Sequence, residues 1–550
     1  MASGKTWNRR LALAGGAALA AGGGYLALQQ RSGHSFNLSR ADPHILMRGN
    51  SAEPTTLDPH KATTVWEDWI MGDMFVGLMH QDANGDPIPQ ACESISTSDD
   101  GLTFTIKLRE HVWSDGVPVT ADDYVFSFRR IADPKTAAQY VSILYPIRNM
   151  QLAAEGKVKP EEIGVKALDS RTLQIEVAYQ TPYINQLLMH QTTYAVPRHV
   201  VEKHGDDWLK PENFVSNGPF LLKAWIPNDH IRVVKNTHFF GAADVKLNEV
   251  YFFPTQDTAS ALKRFRAGEL DIANRCPPPD DVVILRRTIP NEVKINPFIA
   301  TYFIVVNQTR KPFDDVRVRT ALAMALDRET ITDKVVRVGQ IPAYNLVPPG
   351  MPGYSYAAKL RFKSLPFAQR LEKARSLLAD AGFGPKNPLS FNFSIYNTKE
   401  WRRWSVVLQF MWRSIGVDMH ILPLDSQILY DYLRKKDFDL ASAGWIADYR
   451  DPKNFLFLFQ TSSTELNYGG YSNARYDQLV AQSDTIRDPG MRLQVIAQAE
   501  QQLLDDCGVI PLMHDVTRDM VSPQVRGWIP NVVNFNRSRY LSLDRSIQSS

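Results

Sequence analysis

The residues able to do covalent or metal chemistry are few and scattered. Three cysteines, Cys92, Cys276 and Cys507, stand far apart, so no C-x-x-C metal or redox motif exists and at most one disulfide could form. The twelve histidines are dispersed, and pairs such as His230 and His238 are too far apart to share one helical face. Adjacent carboxylates occur at Asp314-Asp315 and Asp505-Asp506, but such pairs usually cap a helix or face water. There is no G-x-x-x-x-G-K-S/T phosphate loop, no G-x-S-x-G elbow, no H-E-x-x-H pair, and no G-x-G-x-x-G after a strand. No catalytic centre and no metal or cofactor site is expected. Lys+Arg is 62 against Asp+Glu 59, a net charge of +3 over 550 residues, which gives no field for nucleic acid.

The elements around these residues describe a mixed α/β protein of several domains. The chain is too long for one ordinary core, and 44% hydrophobic with 22% charged residues excludes wholesale disorder. Leu102, Phe104, Ile106 and Leu108 alternate with polar residues, as do Leu173, Ile175 and Val177, which predicts half-buried strands. Thr120 with Asp123 forms a capping box for a helix beginning near Tyr124, and Thr181-Pro182 offers another helix start. Residues 220–224 and 231–233 predict a hairpin around Pro227-Asn228-Asp229. Helices are expected over 259–267, 316–327, 370–381 and 491–504, a buried strand over 302–306 and a short one over 509–512.

Lys5, Arg9 and Arg10 precede the charge-free residues 11–28, an export-signal pattern. The Arg9-Arg10 pair leaves the twin-arginine and general secretory routes both open, and an uncleaved anchor is the alternative. No cysteine follows the apolar run, so a lipoprotein is not expected.

Residues 113–140 read W-S-D-G-V-P-V-T-A-D-D-Y-V-F-S-F-R-R-I-A-D-P-K-T-A-A-Q-Y. In the same order stand T-L-D-P-H at 56–60, S-N-G-P-F at 216–220, F-D-D-V-R-V-R-T-A-L at 313–322 and G-W-I-A-D-Y-R-D-P at 444–452. This resembles the periplasmic oligopeptide-binding proteins, the family 5 solute-binding proteins of peptide ABC importers, from about residue 45 to 542. The resemblance implies a two-lobed, hinged α/β clamp with an additional α/β domain on the first lobe. Lobe I would combine 41–79, 200–300 and 515–544, the extra domain would be 80–199, and lobe III 301–514. Residues 1–40 would be the export signal and segment before the lobes, and the hinge would cross near Ala300 and His514. It implies a periplasmic monomer that captures oligopeptides for the permease subunits of an ABC transporter.

A zwitterionic peptide enclosed in a dry cleft needs a buried anion for its ammonium, because an unpaired charge there costs several kcal/mol. The resemblance assigns that role to Asp448, while the alternative is a cap on the turn after it. Trp445, Ile446 and Ala447 have the apolar character of a cleft-lining strand, and Gly444, Trp445 and Ala447 would offer backbone groups to the peptide. The resemblance also marks Tyr140 as a hydroxyl donor and Glu67 as a second acceptor. Two positions depart from the family. Ser442 stands where an arginine for the ligand carboxylate is usual, and Ser426 where a tryptophan is expected. Either carboxylate recognition then falls to Arg402, Arg434 or Lys435, or the ligand lacks a free C-terminus there. The departure keeps other cargo open for the same clamp: a murein peptide, a dipeptide, a nickel chelate, haem or an oligosaccharide.

Overall fold

The computed structural model describes residues 42–547, so the export-signal reading of residues 1–40 lies outside the described residues. One eleven-stranded sheet runs through the protein. Its order is Asp418–Leu424, Ser390–Tyr396, Leu440–Ile446, Val293–Val306, Ile510–Val521, Ile272–Asn274, Ile45–Gly49, Glu249–Phe253, His230–Lys235 and Phe220–Ile226, with Ile341–Pro342 also pairing with Ile510–Val521. The chain crosses between the two halves of this sheet on two long strands, Val293–Val306 and Ile510–Val521.

These two strands pair antiparallel in two stretches, 293–297 against 516–520 and 301–304 against 510–514. Between them residues 298–300 face Asp515 alone, a bulge that interrupts the ladder. Leu440–Ile446 pairs from Ala300 onward, on one side of the bulge. Ile272–Asn274 pairs with Asp519–Val521, on the other. The sheet is therefore thinnest in backbone bonds where its halves join, which is where a joint can bend. Both strands are longer than the runs predicted at 302–306 and 509–512. Lys294, Asn296 and Pro297 in one, and Asp515, Thr517 and Arg518 in the other, break the apolar pattern that marks their ends.

Each half has its own cores. Leu46, Ile231 and Val250 share one core with Phe104, Ile106, Tyr124, Leu173 and Ile175 of a smaller unit. That unit is a four-stranded antiparallel sheet in the order Cys92–Thr97, Thr103–Leu108, Thr172–Glu176, Val165–Asp169. The other half-sheet is covered on both faces. Ile304 and Val306 pack with Phe393, Trp401 and Trp412, while Phe303 and Val305 pack with Ala441, Ala443, Phe455 and Leu503 on the opposite face. A strand buried on both sides reads as a continuous apolar run, which is what 302–306 shows.

Local predictions hold where the signal is local. Thr120 donates its backbone N–H to Asp123 (2.8 Å) at the start of helix Ala121–Ala132. The hairpin Phe220–Ile226 with His230–Lys235 turns at Asn228, which has φ of 62°. Thr181-Pro182 does not cap a helix, because the short helix Ile184–Leu187 begins after Tyr183. The helix expected over 316–327 ends at Met324, and Asp327 caps the next turn through the Thr330 N–H. The three cysteines are buried and free, so the one disulfide the count allowed is not formed.

One buried acid sets a stability prediction. Glu500 is fully buried, takes the N–H groups of Leu346 (2.7 Å) and Val347 (2.8 Å) on one oxygen, and the Tyr354 hydroxyl on the other. Burial pushes its carboxyl up to about 7, against the pull of those donors. Its folded value is raised, so its stability contribution is full below the ordinary carboxylate range and is lost as pH rises through about 7. Glu500→Gln keeps both acceptor bonds to the backbone, and the Tyr354 hydroxyl can turn to accept. Denaturation midpoints between pH 5 and 8 are expected to flatten in this variant relative to wild type; an unchanged profile would show that Glu500 does not titrate there.

Candidate functional site

Asp448 lies just past the end of strand Leu440–Ile446. Small and apolar residues, Leu440, Ala441, Ser442 and Ala443, let this strand lie buried on both faces. Ala447 still donates its N–H to the Ile299 carbonyl (2.8 Å), so the strand carries its direction past the bulge. The chain then turns, and Asn454 fixes the turn. Its side-chain oxygen accepts from the Asp448 N–H (3.0 Å) and the Trp445 indole (2.9 Å), and its amide donates to Asp448 Oδ2 (3.3 Å). Arg492 grips the same turn through a fork onto Asp451 (2.7 and 3.0 Å).

From the other half of the molecule, Tyr140 donates its hydroxyl to Asp448 Oδ1 (2.8 Å). The His190 ring stacks on Tyr140 with centroids 5.6 Å apart. Burial raises the Asp448 carboxyl above its ordinary value, opposed by His190 and by the Tyr140 and Asn454 donors. Burial likewise holds His190 below its ordinary value, so this imidazole is neutral near pH 7 and does not supply a counterion. No lysine or arginine pairs with Asp448 among the described residues. The arrangement is a half-buried carboxylate, bonded by Tyr140 and Asn454 and set between two halves of the protein, and such a group is able to attract a cation.

Beside it lies an open strand edge. Leu440–Ile446 pairs along one side with 300–306, but on the other side only Leu440 and Ala441 pair with Ser390–Tyr396. The Ser442 hydroxyl accepts the Tyr396 N–H (3.1 Å) and ends that ladder. Past it, the edge of residues 443–446 carries no strand among the described residues, and Gly444 and Ile446 are exposed. Such an edge can take an extended backbone by strand addition. A small cavity of about 70 Å³ adjoins Gly444 and Trp445, lined by aromatic residues including Tyr396, Tyr430, Phe459 and Tyr468.

The structure thus brings together Asp448, Tyr140, Gly444, Trp445 and Ala447. It does not bring Glu67 to them. Glu67 closes the N-terminal cap of helix Val65–Met74 and accepts from Thr55 N–H (2.9 Å), Thr55 O–H (2.6 Å), Thr63 N–H (2.9 Å) and Thr64 N–H (3.0 Å). Burial works against the charged form, the four donors outweigh it, and the carboxyl lies below its ordinary value. With both oxygens filled, Glu67 is a cap rather than a ligand acceptor. The basic candidates do not converge on Asp448 either. Arg402 is exposed and donates to Asn397 (2.8 and 2.5 Å). Lys435 pairs with Asp431 (2.7 Å) one helical turn away. Arg434 is exposed near Tyr468, at the cavity. Asn454, His190 and Arg492 are the residues that sequence reasoning missed.

Contacts across the two halves surround the site. The Tyr183 and Tyr449 rings stack with centroids 4.7 Å apart. Arg450 pairs with Asp86 (2.5 Å), and Asp280 holds both Lys399 (2.9 Å) and Arg403 (2.7 Å).

The profile of bacterial extracellular solute-binding proteins, family 5, matches residues 86–467. The chain is 36% identical over 493 residues to the periplasmic oligopeptide-binding protein OppA of Salmonella typhimurium, covering 89% of this chain and 90% of that protein. The crystal structure of Haemophilus influenzae OppA in complex with the peptide RPPGFSPFR superposes with a TM-score of 0.79 at 33% identity, covering 91% of this chain and 99% of that one. The Escherichia coli murein tripeptide-binding protein MppA superposes with a TM-score of 0.80 at 30% identity, covering 91% and 98%. The two-lobed α/β architecture expected from the resemblance is the fold of this chain. With profile, relatives and structures in agreement over nearly all the described residues, the chain belongs to family 5 of the bacterial extracellular solute-binding proteins.

Proposed function

We propose that this protein captures short peptides between its two lobes in the periplasm and hands them to the permease subunits of an ABC importer as a monomer. Asp448 receives the peptide ammonium, Tyr140 closes over it from the opposite lobe, and the open edge of residues 443–446 pairs with the peptide backbone through Gly444, Trp445 and Ala447. The observation that carries this reading is the Asp448 carboxylate itself, bonded across the lobes by Tyr140 and by Asn454, with no lysine or arginine paired to it among the described residues. An ammonium is the partner it lacks, and backbone pairing is independent of side-chain sequence. Haem, a nickel chelate or an oligosaccharide brings no ammonium to this carboxylate, so those cargoes are not favoured, and the solved Haemophilus influenzae OppA named above holds a peptide.

The lobes are assigned as 41–79, 200–300 and 515–544 for lobe I, 80–199 for the extra domain and 301–514 for lobe III. The bulge at 298–300 and Asp515 supports a hinge near Ala300 and His514. Ligand stabilises the closed state because only that state offers contacts from both lobes. Among the described residues no helix is long and apolar enough to cross a membrane.

Calorimetric titration with trialanine is expected to give one site per chain and a ligand-dependent rise in melting temperature. N-acetyl-trialanine is expected to bind far more weakly. Equal affinity for the two peptides would sink the ammonium assignment.

A further inference from the structure

Two arginines meet at the hinge. The antiparallel pairing of Ile272–Asn274 with Asp519–Val521 ends with Asn274 opposite Asp519. One step further along both strands sets Arg275 beside Arg518. The Arg275 N–H donates to the Asp519 carboxylate (3.1 Å), and the residue holds φ of 56°, a backbone that non-glycine residues adopt only where their surroundings impose it. Arg518 donates to the Pro277 carbonyl (3.1 Å). Neither guanidinium has a carboxylate within ion-pair distance among the described residues.

The pair lies near contacts between the two lobes. Asp280, in the same segment as Pro277, reaches across to Lys399 and Arg403 on the helix Lys399–Arg413 of the other lobe. Glu400, on the same turn, lies near enough to act on Arg518. The two arginines therefore sit beneath a bridge that joins the lobes. Burial pulls the Arg518 guanidinium below its ordinary value, Asp515 opposes this, and Arg275 adds to it. Asp515 is itself engaged by the Gln340 amide (3.2 Å) and stands beside the Tyr302 hydroxyl.

A row of phenols links this pair to Asp448. Tyr302 lies opposite Gly444 in the ladder and is close to Arg275 and Arg518. Tyr396 is close to Tyr302, Tyr430 and Tyr468. Tyr430 is close to Tyr140, whose hydroxyl rests on Asp448. Neighbouring hydroxyls able to donate or accept thus connect a carboxylate that no lysine or arginine pairs with to two guanidinium groups that no carboxylate ion-pairs with, among the described residues. That polarity complements a zwitterion.

We propose that Arg275 and Arg518 form the carboxylate subsite of the cleft and select peptides that place a C-terminal or side-chain carboxylate between them. This rests on the reading of Asp448 as the ammonium site. It explains how a chain with Ser442 at the usual arginine position can bind an anion, and it replaces Arg402, Arg434 and Lys435 in that role. A planar guanidinium fork suits a carboxylate, and hydrogen bonds to charged groups are the strong ones.

The test is calorimetry on wild type, Arg275→Gln and Arg518→Gln with four tetra-alanine probes: the free acid, the C-terminal amide, the amide with glutamate at the third position, and the N-acetylated free acid. Wild type is expected to favour the free acid, or the glutamate-bearing amide, over the plain amide by about tenfold to a hundredfold. The first preference identifies the C-terminus as the source of the carboxylate and the second a side chain. Either variant is expected to bring the ratio of acid to plain-amide affinity close to one. Arg275 is exposed and its side chain makes no hydrogen bond among the described residues, so Arg275→Gln carries the test if Arg518→Gln misfolds. Wild type that binds acid and amides equally, or a preference that survives in Arg275→Gln, overturns the subsite. The N-acetylated probe separates the two claims: its failure to bind wild type upholds Asp448 whatever the arginines do, and its full binding removes the ammonium site and this proposal with it.

Discussion

Asp448→Ala is expected to weaken binding of a free-amine tripeptide by about a hundredfold to a thousandfold or more. Removing one partner of a buried ion pair costs about 3–5 kcal/mol, because the remaining charge stays out of water, and about 1.4 kcal/mol is a factor of ten. Asp448→Asn separates charge from shape. It keeps a group for Tyr140 and Asn454 to bond and should still lose most of the affinity. N-acetylated peptide should bind poorly to wild type and variants alike. The pH dependence follows from the same carboxylate. Burial raises the Asp448 carboxyl above the ordinary range, and an ammonium binds only its ionised form. Affinity should therefore fall on acidification before ordinary carboxylates begin to titrate, and this fall should be absent in Asp448→Asn. For the unliganded protein the sign is opposite. A raised folded value means that this residue's stability contribution is full at low pH and is lost as pH rises through it. A titration of wild type and both variants from pH 4 to 7 measures these effects together.

Arg492→Ala should be the most destabilising single change near the site. Arg492 is 3% exposed, forks onto Asp451 and lies over the Tyr183 ring at 5.8 Å. Its loss leaves the Asp451 carboxylate buried without its partner, at a cost of about 3–5 kcal/mol. Asp451 is three residues from Asp448 and in the turn that Asn454 closes, so peptide affinity should drop with stability. The double variant Arg492→Met with Asp451→Asn should recover much of the stability, because no unpaired charge remains. Denaturant midpoints for wild type, single and double variants give the answer. A double variant less stable than Arg492→Ala would mean that the pair's role is packing rather than charge.

The sequence speaks most clearly where a single segment decides. The Thr120–Asp123 cap, the 220–235 hairpin and the apolar run 302–306 each follow from neighbours in the chain. The long strands Val293–Val306 and Ile510–Val521 are legible only at their apolar ends, because Lys294, Asn296 and Pro297 in one and the run from His514 to Asp519 in the other interrupt the apolar pattern. Asp448 and Tyr140 came from the resemblance, and the structure places their side chains in contact. Glu67 is a case where the local rule was the better guide. Thr64 and Glu67 have the spacing of a capping box, and that is where the carboxylate is used. Asn454, His190 and Arg492 carried no local signal, since each is defined by partners on another element. The same holds for Arg275 and Arg518, which become neighbours only through the pairing of their strands.

The most direct test of the account is a crystal structure of the protein with trialanine bound. The peptide ammonium is expected within hydrogen-bond distance of the Asp448 carboxylate, beneath the Tyr140 hydroxyl, with the peptide running along residues 443–446. A peptide whose amino terminus lies elsewhere in the cleft, leaving Asp448 to Tyr140 and Asn454 alone, would contradict it.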